Sequence, residues 1–314
     1  MPIALPDDAL TRFREAIERL TGGEGRVGLA VSGGGDSLAL LLLAHATIPD
    51  WVDVATVDHG LRPEAADEAR FVGAICAELG LSHTVLKPTS PISGSLQTNA
   101  RAVRYALLEE WADERGLAWI ATAHHIEDQA ETLMMRLLRG SGPAGLSAIR
   151  ESNGRVIRPL LAWRRSELRS IVAASSFTPV DDRSNHDLSF DRVRMRQAFA
   201  ENSWLDPIAL SKSAANLAQA NEALDWATER EAERRLSVDD AGVSIDPQHL
   251  PAEILRRLVL RALTQVDPGV SPRGTQISSL IDALRGGGKT ELSGIICRGG
   301  PVWHFAPAPP RLTK

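Results

Sequence analysis

Ser32-Gly33-Gly34-Gly35-Asp36-Ser37 is the stretch of this sequence best suited to chemistry. Three glycines in a row let a backbone turn sharply and come close to a ligand. Their N–H groups, the hydroxyls of Ser32 and Ser37 and the start of a following helix together favour an oligophosphate. An aspartate repels phosphates, so Asp36 implies a bridging Mg²⁺, which typically takes one or two carboxylates plus phosphate oxygens. Farther on, His124, Asp128 and Glu131 are spaced i, i+4 and i+7, which predicts three side chains on one helix face. Two carboxylates there suit an ammonium, and the histidine could contact a phosphate or manage a proton. By itself that pattern equally describes a solvated helix face with a capping histidine. Asp58 closes an apolar run, where it is either a turn residue or a group close to a bound nucleotide.

Two other patterns compete with the phosphate loop. Ala30-Val31-Ser32-Gly33-Gly34 loosely resembles a nucleophile elbow, which would make Ser32 the nucleophile of a serine hydrolase. The elbow leaves Asp36 unexplained, and no acid–histidine pair is evident after it. Gly286-Gly287-Gly288-Lys289-Thr290 ends like a Walker A loop. Ala283 stands at its first glycine position, and a helix precedes it where a strand is needed, so a turn before a strand is the better reading.

The elements that must position these residues alternate. Arg26–Val31, Val52–Val57, Ser82–Leu86, Ala118–Ala123 and Val156–Leu161 read as strands. Helical stretches separate them: Leu38–Ala46, within Pro63–Leu79, Thr98–Arg115, about 127–138 and about 164–174. Gly140–Gly145 reads as a rigid loop. Such alternation predicts an α/β fold with a doubly wound, mostly parallel sheet, whose ligands sit at the carboxyl ends of the strands. A helical extension over 192–236, broken at Pro207, leads to a smaller C-terminal α+β domain with helices at 251–265 and 273–285 and a hairpin in 289–306. The expected division is 1–205 for the domain that carries the glycine loop, read as nucleotide-binding, and 206–314 for the helical linker and the small C-terminal domain.

Charge is uneven along the 314 residues. Residues 1–135 carry 20 acids against 10 bases, whereas 136–200 carry 12 arginines against 6 acids, and the net charge is -5. This is no general nucleic-acid sponge, but the arginine-rich segment could hold a phosphate backbone. Cys76 and Cys297 are the two cysteines, with no CxxC, which argues against a zinc ribbon, an iron–sulfur cluster or a disulfide framework. The most apolar stretch, Leu38–Ala46, is about half a bilayer span. The N-terminus lacks the features of a signal peptide, so a cytoplasmic location without membrane association is expected.

The Ser-Gly-Gly-Gly-Asp-Ser loop resembles the pyrophosphate loop of the PP-loop ATP pyrophosphatases, and further motifs resemble one branch, the tRNA(Ile)-lysidine synthetases. These are Val57-Asp58-His59-Gly60-Leu61-Arg62, Ala100-Arg101 with Arg104-Tyr105, Thr122 to Thr132 with its two histidines, Arg139-Gly140-Ser141-Gly142 with Gly145-Leu146, Arg158-Pro159-Leu160-Leu161, and Asp182 to Asn185 ahead of Arg192, Arg194 and Arg196. They follow in the family's order across about residues 25–200. Glu127 departs from the family, standing where aspartate is usual.

The resemblance implies ATP and Mg²⁺ as reactants, L-lysine and the tRNA(Ile) with a CAU anticodon as partners, and a homodimer as one assembly. The implied reaction adenylates O2 of the wobble cytidine, after which the lysine side-chain amine displaces AMP to form lysidine. Ser32 to Ser37 would hold the pyrophosphate, with Asp36 on Mg²⁺ and Asp58 near the nucleotide. Arg104 would face the phosphates, His124 the α-phosphate or a proton, Asp128 and Glu131 the lysine ammonium, and Arg196 the α-phosphate side. Arg192 and Arg194 would bind RNA. Within the superfamily the alternative is a tRNA thiolase, which would need cysteines near the site.

Overall fold

The structure, a computed structural model, describes residues 5–60, 64–88, 96–180 and 187–309. Leu61, Arg62 and Asp182 to Asn185 of the motifs above lie outside the described residues. The chain forms two compact units, 1–218 and 219–314.

In the first unit, Asp7–Thr21 forms α1, which buries Ala9, Phe13, Ala16 and Ile17 at helical spacing and ends at left-handed Gly22. There follow β1 (Val27–Ala30), α2 (Gly35–Thr47), β2 (Val52–Val57), α3 (Glu64–Leu79), β3 (His83–Leu86), α4 (Leu96–Arg115), β4 (Trp119–Ala121) and α5 (Ile126–Leu137). The short elements α6 (Pro143–Leu146), β5 (Ser152–Asn153) and β6 (Val156–Ile157) come next, then α7 (Arg165–Ala173), α8 (Asp191–Glu201) and α9 (Pro207–Arg235). The sheet order is β3-β2-β1-β4-β6-β5, parallel throughout except for the β5–β6 pair. The order reverses at β1, so the crevice beside it is the switch point of the sheet.

Local sequence explains the layering. Leu38 to Ala44 are all buried, so α2 is apolar on every side and is enclosed by α1 and α7. Each of its leucines stabilises the fold by roughly 1.5–3 kcal/mol relative to exposure. Alternation in β1 sends Val27 and Leu29 into that core. Gly28 faces the other way, where a Cβ would lie 2.4 Å from the Trp111 ring of α4. Trp111, Leu108, Ile120 and Val156 fill that second layer.

The second unit contains β7 (Leu236–Asp239), β8 (Gly242–Ile245), α10 (Ala252–Val266), α11 (Gly274–Arg285), β9 (Lys289–Leu292), β10 (Ile295–Arg298) and β11 (Trp303–Pro307). Its antiparallel sheet runs β7-β8-β11-β10-β9 around a core that includes Val243, Leu258, Leu280, Trp303 and Phe305. The expected hairpin in 289–306 is therefore three strands, and the β7–β8 hairpin was not foreseen at all. Gly286–Gly288 is a turn between α11 and β9, with Gly287 at φ 73°, and not a phosphate loop.

The two compact units divide inside α9, at 218/219. Pro207 marks the expected break, with α8 ending at Glu201 and α9 opening at Pro207, because a missing N–H costs nothing in the first helical turn. Two further expectations change. Gly140–Gly145 is not all loop, since α6 starts at Pro143, and the strand expected over 156–161 shortens to two residues. Among the described residues no helix is long and apolar enough to cross a membrane.

Candidate active site

The glycine loop joins β1 to α2. Of its three glycines only Gly33 has a left-handed backbone, at φ 87°, and its carbonyl accepts the Val180 N–H at 3.0 Å. Gly34 has an ordinary φ of -72°, and a Cβ on Gly35 would meet nothing nearer than Pro179 at 3.8 Å. Neither needs to be glycine for the fold. The Ser37 hydroxyl donates to the Gly34 carbonyl at 2.9 Å and accepts the Ser32 N–H at 3.1 Å, so it braces the loop. Ser32 Oγ sits 3.3 Å from Ser37 Oγ, which is loop bracing and not a nucleophile–base pair.

A cavity of about 660 Å³ opens over this loop at the carboxyl ends of β1, β2 and β4. It gathers Ser32, Gly34, Gly35, Asp36, Ser37, Arg104, His124, Asp128 and Arg196 from the expected residues, and adds Arg101, Arg165, Arg169 and Arg192. Gly33, Asp58 and Glu131 do not line it. Asp58 behaves as a turn residue. Its Oδ1 accepts the Gly60 N–H at 2.9 Å and its Oδ2 lies 3.2 Å from Lys87 Nζ. The Gly60 N–H above all, and then Lys87, hold its carboxyl below the usual range against the opposing effect of burial. Arg104 Nε lies 3.4 Å from His59 Nε2 at the cavity wall.

The carboxylates expected to be open to an ammonium are already paired. Arg192 donates to Asp128 Oδ1 at 2.7 Å and to Glu131 Oε2 at 2.8 Å. Arg196 donates to Glu131 Oε1 at 3.0 Å and lies 3.6 Å from Asp128, while lining the same cavity as the glycine loop. The Glu131 side chain is only 4% exposed. Burial pushes the Asp128 carboxyl up, but His125 and Arg192 hold it below its ordinary value.

His124 is not on the helix face. The peptide N–H of His125 is captured by Asp128 Oδ2 at 3.1 Å, so His125 is the extended N-cap and α5 begins one residue later. His124 still reaches the cavity. Burial lowers it to about 4, leaving it neutral at physiological pH, with Nδ1 2.9 Å from Thr122 Oγ1.

His125, which sequence reasoning passed over, is fully buried. Its Nδ1 lies 2.9 Å from Glu127 Oε2, and its Nε2 lies 3.4 Å from Asp36 and 3.5 Å from Asp128. Burial opposes its charge, but these carboxylates raise it to about 9, so it is a buried cation. Glu127 also accepts the Arg165 N–H at 3.0 Å, tying the start of α7 to the site. The paired histidines were visible in the sequence, but nothing local said which one would be buried.

Asp36 lines the cavity with Arg165 Nε 3.8 Å away. Among the described residues no cluster of three or more His, Cys, Asp or Glu could hold a metal alone. Asp36, on the glycine loop, shares the cavity wall with the carboxylates of Glu68 and Asp128, and would suit Mg²⁺ held chiefly by phosphate and water.

Residues 8–202 match the PP-loop domain family. A tRNA(Ile)-lysidine synthase from Zymomonas mobilis is 43% identical over 98% of this chain and 96% of its own length. Another, from Novosphingobium aromaticivorans, is 41% identical over 96% and 94% respectively. The chain belongs to the tRNA(Ile)-lysidine synthase family. Among solved structures, a U34-tRNA thiolase from Methanococcus maripaludis with its [4Fe-4S] cluster shares the fold, with a TM-score of 0.56 and 16% identity over 67% of this chain and 78% of that one. The likeness stops at the fold. Cys76 lies in α3 and Cys297 in β10, both buried, and burial pushes both thiols to about 12, far from thiolate chemistry.

Proposed function

We propose that this chain is an ATP-dependent ligase that joins lysine to the wobble cytidine of the CAU-anticodon tRNA(Ile), forming lysidine. The observation that carries this reading is one cavity that joins the glycine loop, Asp128 and a set of arginines, with Glu131 paired behind Asp128 through Arg192, in a chain of this family. The free N–H groups at the start of α2 and the unobstructed backbone of Gly34 and Gly35 suit the triphosphate. Asp36 would hold Mg²⁺ against the phosphates, and the ion would supply charge neutralisation of the departing pyrophosphate.

In the first step cytidine O2 attacks the α-phosphorus and pyrophosphate leaves. Arg104, at the cavity wall, is suited to the charge that develops there. In the second step the ε-amine of lysine attacks C2 and AMP leaves. Asp128 and Glu131 would receive that amine as ammonium. His124, neutral and beside Asp128, is a weak base at about 4 and is suited to hydrogen-bond on the α-phosphate side.

The arginines of 136–200 and Arg101 supply phosphate contacts for the tRNA. In the second unit, Trp226 is 63% exposed and carries the Arg230 guanidinium 4.7 Å above its ring. Such a pair suits an unpaired base and supports an RNA contact there.

The experiment is incorporation of radiolabelled lysine into a CAU-anticodon tRNA(Ile) transcript, with AMP and pyrophosphate counted. Incorporation that requires ATP and gives equal amounts of lysidine, AMP and pyrophosphate is expected. Folded protein that gives no incorporation refutes the reading.

A further inference from the structure

We propose that Arg192 occupies, in the ligand-free enzyme, the seat of the lysine ammonium, and that the phosphates of ATP draw it away, so that nucleotide binding opens the lysine subsite. This rests on the reading of Asp128 and Glu131 as the carboxylates that receive lysine.

All four oxygens of that pair are taken. Asp128 Oδ1 accepts from Arg192 and Oδ2 from the His125 N–H. Glu131 Oε2 accepts from Arg192 and Oε1 from Arg196. The two carboxylates are balanced by two guanidinium groups. A lysine ammonium entering this arrangement would be an unpaired cation in a desolvated place, which is strongly unfavourable. One cation must leave first. Arg192 is the one that hydrogen-bonds both acids, whereas Arg196 hydrogen-bonds Glu131 and lies 3.6 Å from Asp128.

The alternative partner for Arg192 lies in the same cavity. Arg192 forms part of the wall that also contains Gly34, Gly35 and Asp36, where the triphosphate is expected. An arginine exchanges a carboxylate for a phosphate readily, since its planar fork fits both. The helix that carries it can follow. None of the residues of α8 is buried, and ion pairs from Arg192 and Arg196, with Arg139–Asp191, tie it to α5 and the residues just beyond. A shift of α8 would expose only half-buried apolar side chains, among them Val193, Met195 and Phe199. Arg192 is a positioning residue in this account. It acts through the two acids and sets the order of binding, nucleotide before lysine.

Equilibrium dialysis of radiolabelled L-lysine against the full chain tests this, with and without α,β-methylene ATP and Mg²⁺. Lysine should bind about tenfold tighter with the analogue, within the usual range for coupled sites. In Arg192→Met, lysine should bind tightly without nucleotide, and the analogue should add less than about twofold. Equal lysine affinity with and without the analogue in the unaltered protein overturns the proposal, as does coupling that persists in Arg192→Met. Should that variant not fold, linkage gives a second measurement in the unaltered protein. Saturating lysine must tighten analogue binding by the same factor, and no tightening overturns the proposal. Asp128→Asn separates this failure from failure of the underlying reading. If Asp128→Asn with the analogue still binds lysine normally, the subsite itself is misassigned. If it loses lysine while the unaltered protein shows no coupling, only the role of Arg192 falls.

Discussion

Replacing Gly34 or Gly35 by alanine separates a loop built for packing from one built for a ligand. In the free protein neither change should harm the fold. Gly34 has a φ of -72°, and the nearest atom to an added Cβ is Ser32 Oγ at 3.8 Å. Gly35 is the first residue of α2, and its nearest neighbour is Pro179, also at 3.8 Å. Removing a glycine at such positions stabilises by about 0.4–1 kcal/mol through the unfolded chain, so Tm should hold or rise by up to roughly 4 °C. A phosphate on this backbone would meet the new methyl group. Each charge-assisted hydrogen bond lost costs about 1.5–3 kcal/mol, which is roughly 10- to 150-fold in kcat/KM for ATP. Gly33→Ala should behave differently. Its φ of 87° strains an alanine, and the Cβ would press on Val72 at 3.4 Å. Strain of about 1–2 kcal/mol is expected, with a Tm lower by roughly 2–8 °C. The assays are thermal melting without ligand and pyrophosphate release with tRNA and lysine. Unchanged ATP kinetics in both Gly34→Ala and Gly35→Ala would refute the phosphate cradle.

Further outcomes are expected elsewhere in the site. Asp36→Ala should abolish pyrophosphate release while preserving the fold, and full activity at ordinary Mg²⁺ would remove its metal role. His125 is raised from 6.5 to about 9 by its carboxylate neighbours, so its contribution is complete below 6.5 and is lost as pH rises through 9. In chelator-containing buffer the parent should lose stability of order 3 kcal/mol across that window relative to His125→Gln; parallel pH–stability curves would disprove the buried cation. Arg101 and Arg169 are exposed at the cavity wall, and each change to alanine should lower the salt slope of tRNA binding by about 0.9. An unaltered slope in filter binding would move the RNA path elsewhere.

Much of the fold is local information. Runs such as Val52–Val57 and Leu38–Ala44 announce a buried strand and a buried helix because apolar pattern and turn residues act over a few positions. The β7–β8 hairpin escaped notice because Leu236–Asp239 is a mostly exposed edge strand with little apolar pattern. The i, i+4, i+7 spacing of His124 does not place it on α5, because Asp128 caps the His125 N–H and the helix starts at Ile126.

The sequence by itself determined the glycine loop, the alternating sheet and the family, since all three depend on residues close together in the chain. Only the tertiary structure decided what the charged groups do. Arg192 meets Asp128 and Glu131 across more than sixty residues, and His125 meets Asp36 from the far side of the sheet's switch point. Such pairings follow from where the backbone delivers each side chain and how little water remains there, and no spacing along the chain encodes either quantity.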